Sequence, residues 1–150
     1  RIPEAANEIG TYLALSLHAP TDDIREMIMP INKKFKIKDL IEQCKYYSSV
    51  VKEKITLEYV MLRDINDSVE CANQLVKLMA QFSCKVNLIE FNPWPGVQYL
   101  PTERREMEKF GKIIQDSGYI ATIRRSRGQD IFGACGQLRT ESEKKKLYKN

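Results

Sequence analysis

Four short runs of apolar and β-branched residues recur along this chain, and the stretches between them carry helical spacing. That alternation limits the possible fold more than any other feature. Residues 12–17 (YLALSL), 55–62 (ITLEYVML), 85–91 (KVNLIEF) and 119–124 (YIATIR) read as strands. Residues 1–10 read as the end of a helix closed by Gly10. The first full helix starts at Thr21, with Asp22 and Asp23 in the first turn, and stops before Pro30. A lysine-rich loop is predicted over 31–38, then a helix over about 38–49 with Leu40, Ile41 and Cys44 on one face. Asp67 followed by Glu70 has capping-box spacing, and Val69, Ala72, Val76 and Met79 follow at helical intervals. The last helix is predicted from Thr102 to Gly118, with Met107, Phe110, Ile113 and Ile114 facing inward. Strand starts recur roughly every 30–40 residues, a spacing that calls for βαβ units and parallel strands. No glycine-rich dinucleotide fingerprint follows any strand, so a segment of a βα barrel fits better than a Rossmann domain. The expected fold class is therefore α/β.

In parallel βα architectures, function gathers at the C-terminal ends of the strands. Ser16, Leu17 and His18 lie at the first such exit; Arg63, Asp64 and Asn66 lie at the second. Asn92, inside the strand-breaking NPWPG, lies at the third. Each also has a plain structural reading. His18 can be a satisfied structural histidine, Asn92 a loop cap, and Trp94 a hydrophobic plug or a platform for a base. After the fourth strand come Arg124, Arg125 and Arg127, then Cys135 within DIFGACGQL. Gly133 and Gly136 let another group approach that cysteine closely. Cations nearby favour the thiolate, the nucleophilic form of cysteine, and would equally hold a phosphate. A small apolar residue in a tight turn is the competing reading.

The composition, 43% hydrophobic and 29% charged, is that of an ordinary globular domain, and the net charge of +4 leans mildly toward anionic partners. No apolar run approaches the length of a membrane span, and no signal peptide is evident, so no membrane role is expected. The cysteines at 44, 71, 84 and 135 match no metal-knuckle or cluster-ligand spacing. The first three are expected to be packing residues in a reducing cytoplasm. The lysines at 33, 34, 36 and 38 and the basic stretch 139–150 read as solvated surface or as RNA contacts. The chain opens on Arg1 inside an apparent helix, as expected of a segment of a longer protein.

Several stretches, in order, resemble the RlmN/Cfr group of radical S-adenosylmethionine (SAM) RNA methyltransferases. They are LALSLHAP (13–20), PINKK (30–34), EYVML followed by IND (58–67), NLIEFNPWPG (87–96) and RSRGQDIFGACGQL (125–138). The resemblance implies the C-terminal half of a radical-SAM partial (βα)6 barrel over residues 1–138, with 139–150 as a basic tail. It implies that Ser16, Leu17, His18 and Asn92 contact SAM, and that Cys135 carries a methyl group as S-methylcysteine. It implies a second SAM cleaved at a [4Fe-4S] cluster, a radical formed on that methyl group, and addition to C2 of adenine in large-subunit rRNA and tRNA. Arg124, Arg125 and Arg127 become candidate RNA contacts. The group's CxxxCxxC cluster motif, its Gly-Glu SAM contact and its second, resolving cysteine are absent. In the group all three lie upstream, so the cluster ligands are expected in a missing N-terminal part, and this chain alone is expected to be inactive. The NPWPG stretch favours C2 over Cfr-like C8 methylation. Two other classes compete: a cysteine-nucleophile enzyme, which needs a base that only His18 could supply as histidine, and a non-enzymatic RNA-binding fragment.

Overall fold

The computed structural model describes residues 13–125, in which four strands form one parallel sheet in sequence order. They are β1 (Ala14–Ser16), β2 (Ile55–Met61), β3 (Cys84–Glu90) and β4 (Ala121–Arg124). Helices α1 (Asp22–Ile28), α2 (Ile37–Val50), α3 (Val69–Met79) and α4 (Arg104–Asp116) occupy the connections, and a 3-10 turn spans Pro30–Lys33. The expected alternation of strands and helices and the α/β class are thus observed. The calls on residues 1–10, on Tyr12 and on everything from Ser126 onward, including Arg127, Cys135 and the tail 139–150, lie outside the described residues.

The two faces of the sheet differ. Ile55, Leu57, Tyr59 and Met61 of β2 and Cys84, Val86 and Leu88 of β3 are buried against the helices, which contribute Ile41, Cys44, Leu75, Met79, Phe110 and Ile114. The Tyr59 and Phe110 rings, 5.3 Å apart, tie β2 to α4 across this core. Side chains alternate along a strand, so Ser16, Glu58, Asn87 and Thr122 take the other face. These four are register partners and form one polar row across all four strands. Above the row, toward the strand C-termini, Val60, Leu62, Ile89 and Phe91 build a second apolar cluster with Ile28 and Met29.

Several local predictions shift. The lysine-rich segment is not all loop: Pro30 starts a 3-10 turn, and α2 begins at Ile37, where Asp22 Oδ1 accepts the backbone N–H at 2.9 Å. The cap of α3 is Ser68, whose Oγ accepts from the Cys71 N–H at 3.0 Å. Asp67 is diverted: its carboxylate accepts from the Asp64 N–H and from the Thr102 hydroxyl. Cys71, Ala72, Leu75 and Met79 face the core and Val76 packs against it, whereas Val69, the first residue of the helix, is 62% exposed. Thr102 precedes α4, whose N-cap is Glu103, because its hydroxyl is spent on Asp67. Gly118, at φ +96°, ends the turn after α4 as expected.

Candidate functional site

The β1 exit carries a network of buried polar contacts. Arg25 of α1 is 3% exposed, and its guanidinium faces back toward the strand it follows. Nη2 donates to the Ser16 carbonyl and Nε to the Leu17 carbonyl, each at 3.0 Å. Nη1 donates to Asn32 Oδ1 at 2.9 Å, and Asn32 Nδ2 donates to Asp22 Oδ1 at 3.0 Å. Burial lowers the Arg25 pKa, and the Asp22 charge works against that shift. At Asp22 burial pushes the carboxyl up, but the hydrogen bonds from Ile37 and Asn32 and the charges of Lys36 and Arg25 outweigh it and leave it below the ordinary value.

His18 turns the chain out of β1 at φ +59°, the left-handed region that a non-glycine residue occupies at a cost of roughly 1–2 kcal/mol. Its carbonyl accepts from Asn66 Nδ2 at 2.8 Å, and the same nitrogen donates to the Val60 carbonyl at 2.8 Å. Asn66 Oδ1 accepts from the Leu62 N–H, and the Tyr59 hydroxyl donates to the Asn66 carbonyl at 2.6 Å. The imidazole is fully buried, and its Nδ1 accepts from the Val60 N–H at 3.0 Å. That bond puts the ring proton on Nε2 of the neutral imidazole. Burial, with the Arg25 charge second, lowers the His18 pKa from 6.5 to about 3. Among the described residues nothing accepts from Nε2. A buried donor with no acceptor among the described residues has its partner outside them.

The predicted residues gather on one end of the sheet, where Asn66 bonds to the His18 carbonyl while Asn92 stands apart from the β1 exit. Ser16 and Asn92 lie at the ends of β1 and β3, two strands apart in the sheet, or about 10 Å. A nucleoside-sized ligand can bridge that span. Leu17 is wholly buried and packs into the helix-covered core, so any contact it makes is through its backbone. Trp94 packs edge-on to Phe91 at 5.7 Å within the second apolar cluster, in keeping with a plug. Arg124 lies on the same sheet face as the polar row, 4.0 Å from Glu58 Oε2, and Arg125 is exposed. Glu58 Oε2 also accepts from Asn87 Nδ2 at 3.1 Å, and Asn87 Oδ1 accepts from the Thr122 hydroxyl at 2.5 Å. Sequence reasoning gave no role to Glu58, Asn87, Arg25, Asn32 or Tyr59. The available signal was polar residues at every second position of strands that, if buried on both faces, would be continuously apolar.

His18 is a poor general base. Its Nδ1 lone pair is committed to Val60, and Nε2 already holds the proton. This removes the partner that a cysteine–histidine enzyme of another class requires. Cys44, Cys71 and Cys84 are buried and free, as expected of packing residues, and burial pushes Cys44 up to about 11 and Cys84 to about 12. Among the described residues, no group of three or more His, Cys, Asp or Glu side chains could hold a metal ion, and no helix is long and apolar enough to cross a membrane.

The fold matches part of the fold of a radical SAM methyltransferase. A crystal structure of such an enzyme from Sphaerobacter thermophilus matches with a TM-score of 0.78 and 39% identity, covering 85% of this chain and 37% of that one. A domain of a pyruvate-formate lyase-activating enzyme from Bacteroides vulgatus shares the fold alone, with a TM-score of 0.59 and 12% identity over 75% of this chain and 66% of that one. In sequence, the chain is 51% identical over 147 residues to the dual-specificity RNA methyltransferase RlmN of Agrobacterium fabrum. It is 50% identical over 147 residues to the RlmN of Rhizobium meliloti. Each match covers 95% of this chain and 36% of the relative, so the chain spans about a third of the length of the curated relatives it matches. No protein-family model matches it. The resemblance read from the motifs is thereby established as one to RlmN-type radical SAM methyltransferases.

Proposed function

We propose that this chain supplies the SAM-contacting and methyl-carrying portion of a radical SAM RNA methyltransferase that modifies C2 of adenine in large-subunit rRNA and tRNA. The observation that carries the reading is the likeness along 95% of the chain to proteins named dual-specificity RNA methyltransferase RlmN. In support, the His18 Nε2–H at the β1 exit finds no acceptor among the described residues. Ser16 and Asn92 would hold the same ligand from the ends of β1 and β3, and the backbone of Leu17 would complete the contact. SAM bound there supplies a methyl group. Cys135 is the residue proposed to receive it: the thiolate lone pair forms the S–CH3 bond, and S-adenosylhomocysteine leaves. Arg124, Arg125 and Arg127 are proposed to neutralise RNA phosphates beside that cysteine.

A [4Fe-4S] cluster does not fit the described residues. Their cysteines are buried, the two with shifted thiols are held protonated, and no metal-binding group is present among them. Its ligands are proposed to lie in the portion of the relatives that this chain does not match, which would make that portion the chain's necessary partner. The division into a barrel segment, 1–138, and a basic tail, 139–150, is part of the same proposal.

The test grafts this chain in place of the matching segment of the Agrobacterium relative and measures methylation of rRNA and tRNA. The graft should methylate adenine C2, and its Cys135→Ala variant should make no product. Full methylation by that variant would overturn the role of Cys135. A folded, cluster-loaded graft with no activity would overturn the assignment.

A further inference from the structure

We propose that Arg25 and Asn66 are positioning residues: between them they clamp the three successive carbonyls of Ser16, Leu17 and His18 and so preform the SAM-contacting loop. The inference rests on the reading of that loop as a SAM site.

The geometry is specific. In an extended strand, successive carbonyls point to opposite sides. Here the carbonyls of Ser16 and Leu17 both reach one guanidinium, so the backbone has already left strand geometry. The next carbonyl, that of His18, is turned to Asn66 by a left-handed residue. The N–H groups of Leu17 and His18 both donate to the Glu58 carbonyl, at 3.0 and 3.3 Å. The turn is thus held from two parts of the chain: by α1, which follows it closely in sequence, and by β2 with the segment after it, which lies far along the chain.

The materials of the clamp are costly. Burying a guanidinium away from water is strongly unfavourable unless its donors are met. Among the described residues Arg25 meets carbonyls and Asn32, which stands between it and the Asp22 carboxylate. Asn66, fully buried, uses both its donor and its acceptor on backbone groups of the β1 and β2 exits. A strand-to-helix turn needs none of this where glycine takes the left-handed position. What the clamp adds is a single orientation for the Ser16 hydroxyl and the His18 ring before any ligand arrives. Binding then spends nothing on ordering the loop.

Two measurements on the graft described above test this. The first is amide hydrogen exchange without SAM. Leu17 and His18 should be protected as strongly as the β2–β3 ladder, and SAM should change them little. Rapid exchange suppressed only by SAM would mean that the ligand orders the loop, and would overturn the proposal. The second is SAM affinity by calorimetry, well below each variant's melting temperature. Arg25→Lys keeps the charge but cannot span both carbonyls; Asn66→Asp keeps the shape but loses the donor. Each should weaken SAM binding by about tenfold or more, as for loss of a buried hydrogen bond. A lowered melting temperature with unchanged affinity, the mark of a merely structural role, would overturn it. If those variants do not fold, Asn32→Ser removes only the outer contact and should weaken binding by a smaller, still measurable factor; unchanged affinity there counts against the clamp. A folded graft that binds no SAM refutes the functional reading instead, and the exchange pattern then decides the clamp alone.

Discussion

Lowering the pH from 7 to 5 should destabilise this fold through one side chain. His18 is fully buried, its Nδ1 accepts from the Val60 N–H, and its pKa is lowered to about 3 by burial first and by the Arg25 charge second. In the unfolded chain the same imidazole titrates near 6.5. The folded value lies below the unfolded one, so the unfolded state binds the extra proton between them. Stability is therefore fully present above the unfolded pKa and falls as the pH drops toward the folded one, by about 1.4 kcal/mol per pH unit. From pH 7 to pH 5 the loss is about 2 kcal/mol. The window isolates the effect. His18 is the only histidine in the chain, and the contributions of Asp22 and Glu26, whose folded values are lowered, are present above their ordinary values of 3.8 and 4.5 and are lost only as the pH falls through those. Urea unfolding at the two pH values measures the difference, and a His18→Asn variant should flatten it. Equal or greater stability of the unmodified chain at pH 5 would refute the buried, neutral imidazole and with it the fixed Nε2–H donor.

Three further outcomes follow from single contacts. Tyr59→Phe leaves the buried Asn66 carbonyl without its 2.6 Å donor and should cost about 1–2 kcal/mol in chemical denaturation, with little change in core packing. Ser68→Ala removes the cap that moved the start of α3 and should cost about 1 kcal/mol by the same measurement; no loss would return the capping role to Asp67. Cys44 and Cys84, with thiols pushed up to about 11 and 12, should resist a thiol reagent at pH 8 until the chain is unfolded; fast labelling of native protein would contradict their burial.

The strand–helix alternation was legible because it rests on local chemistry. β-branched and apolar runs such as ITLEYVM make strands, Pro30 forbids the continuation of a helix, and Gly118 accepts a positive φ. The motifs carried the resemblance for a similar reason: each is a contiguous string, readable without knowing what lies beside it. The capping of α3 was misread because two acceptors, Asp67 and Ser68, compete for one role. Thr102, 35 residues away, engages Asp67 and so settles the contest.

The sequence by itself determined the α/β class, the parallel order and the strand exits at which His18 and Asn92 stand. Only the tertiary structure decided that His18 is neutral with its proton on Nε2, that Asn66, in the turn after β2, is a buried strut bonded to three backbone groups, and that Arg25 faces inward to hold backbone. It also decided that Ser16, Glu58, Asn87 and Thr122 form one row. The physical reason is range. Propensity and spacing act over a few residues, whereas the Val60–His18 bond joins positions 42 apart and the Asn66–His18 bond positions 48 apart. Burial, tautomer and pKa are set by such partners, which meet only when the sheet has formed.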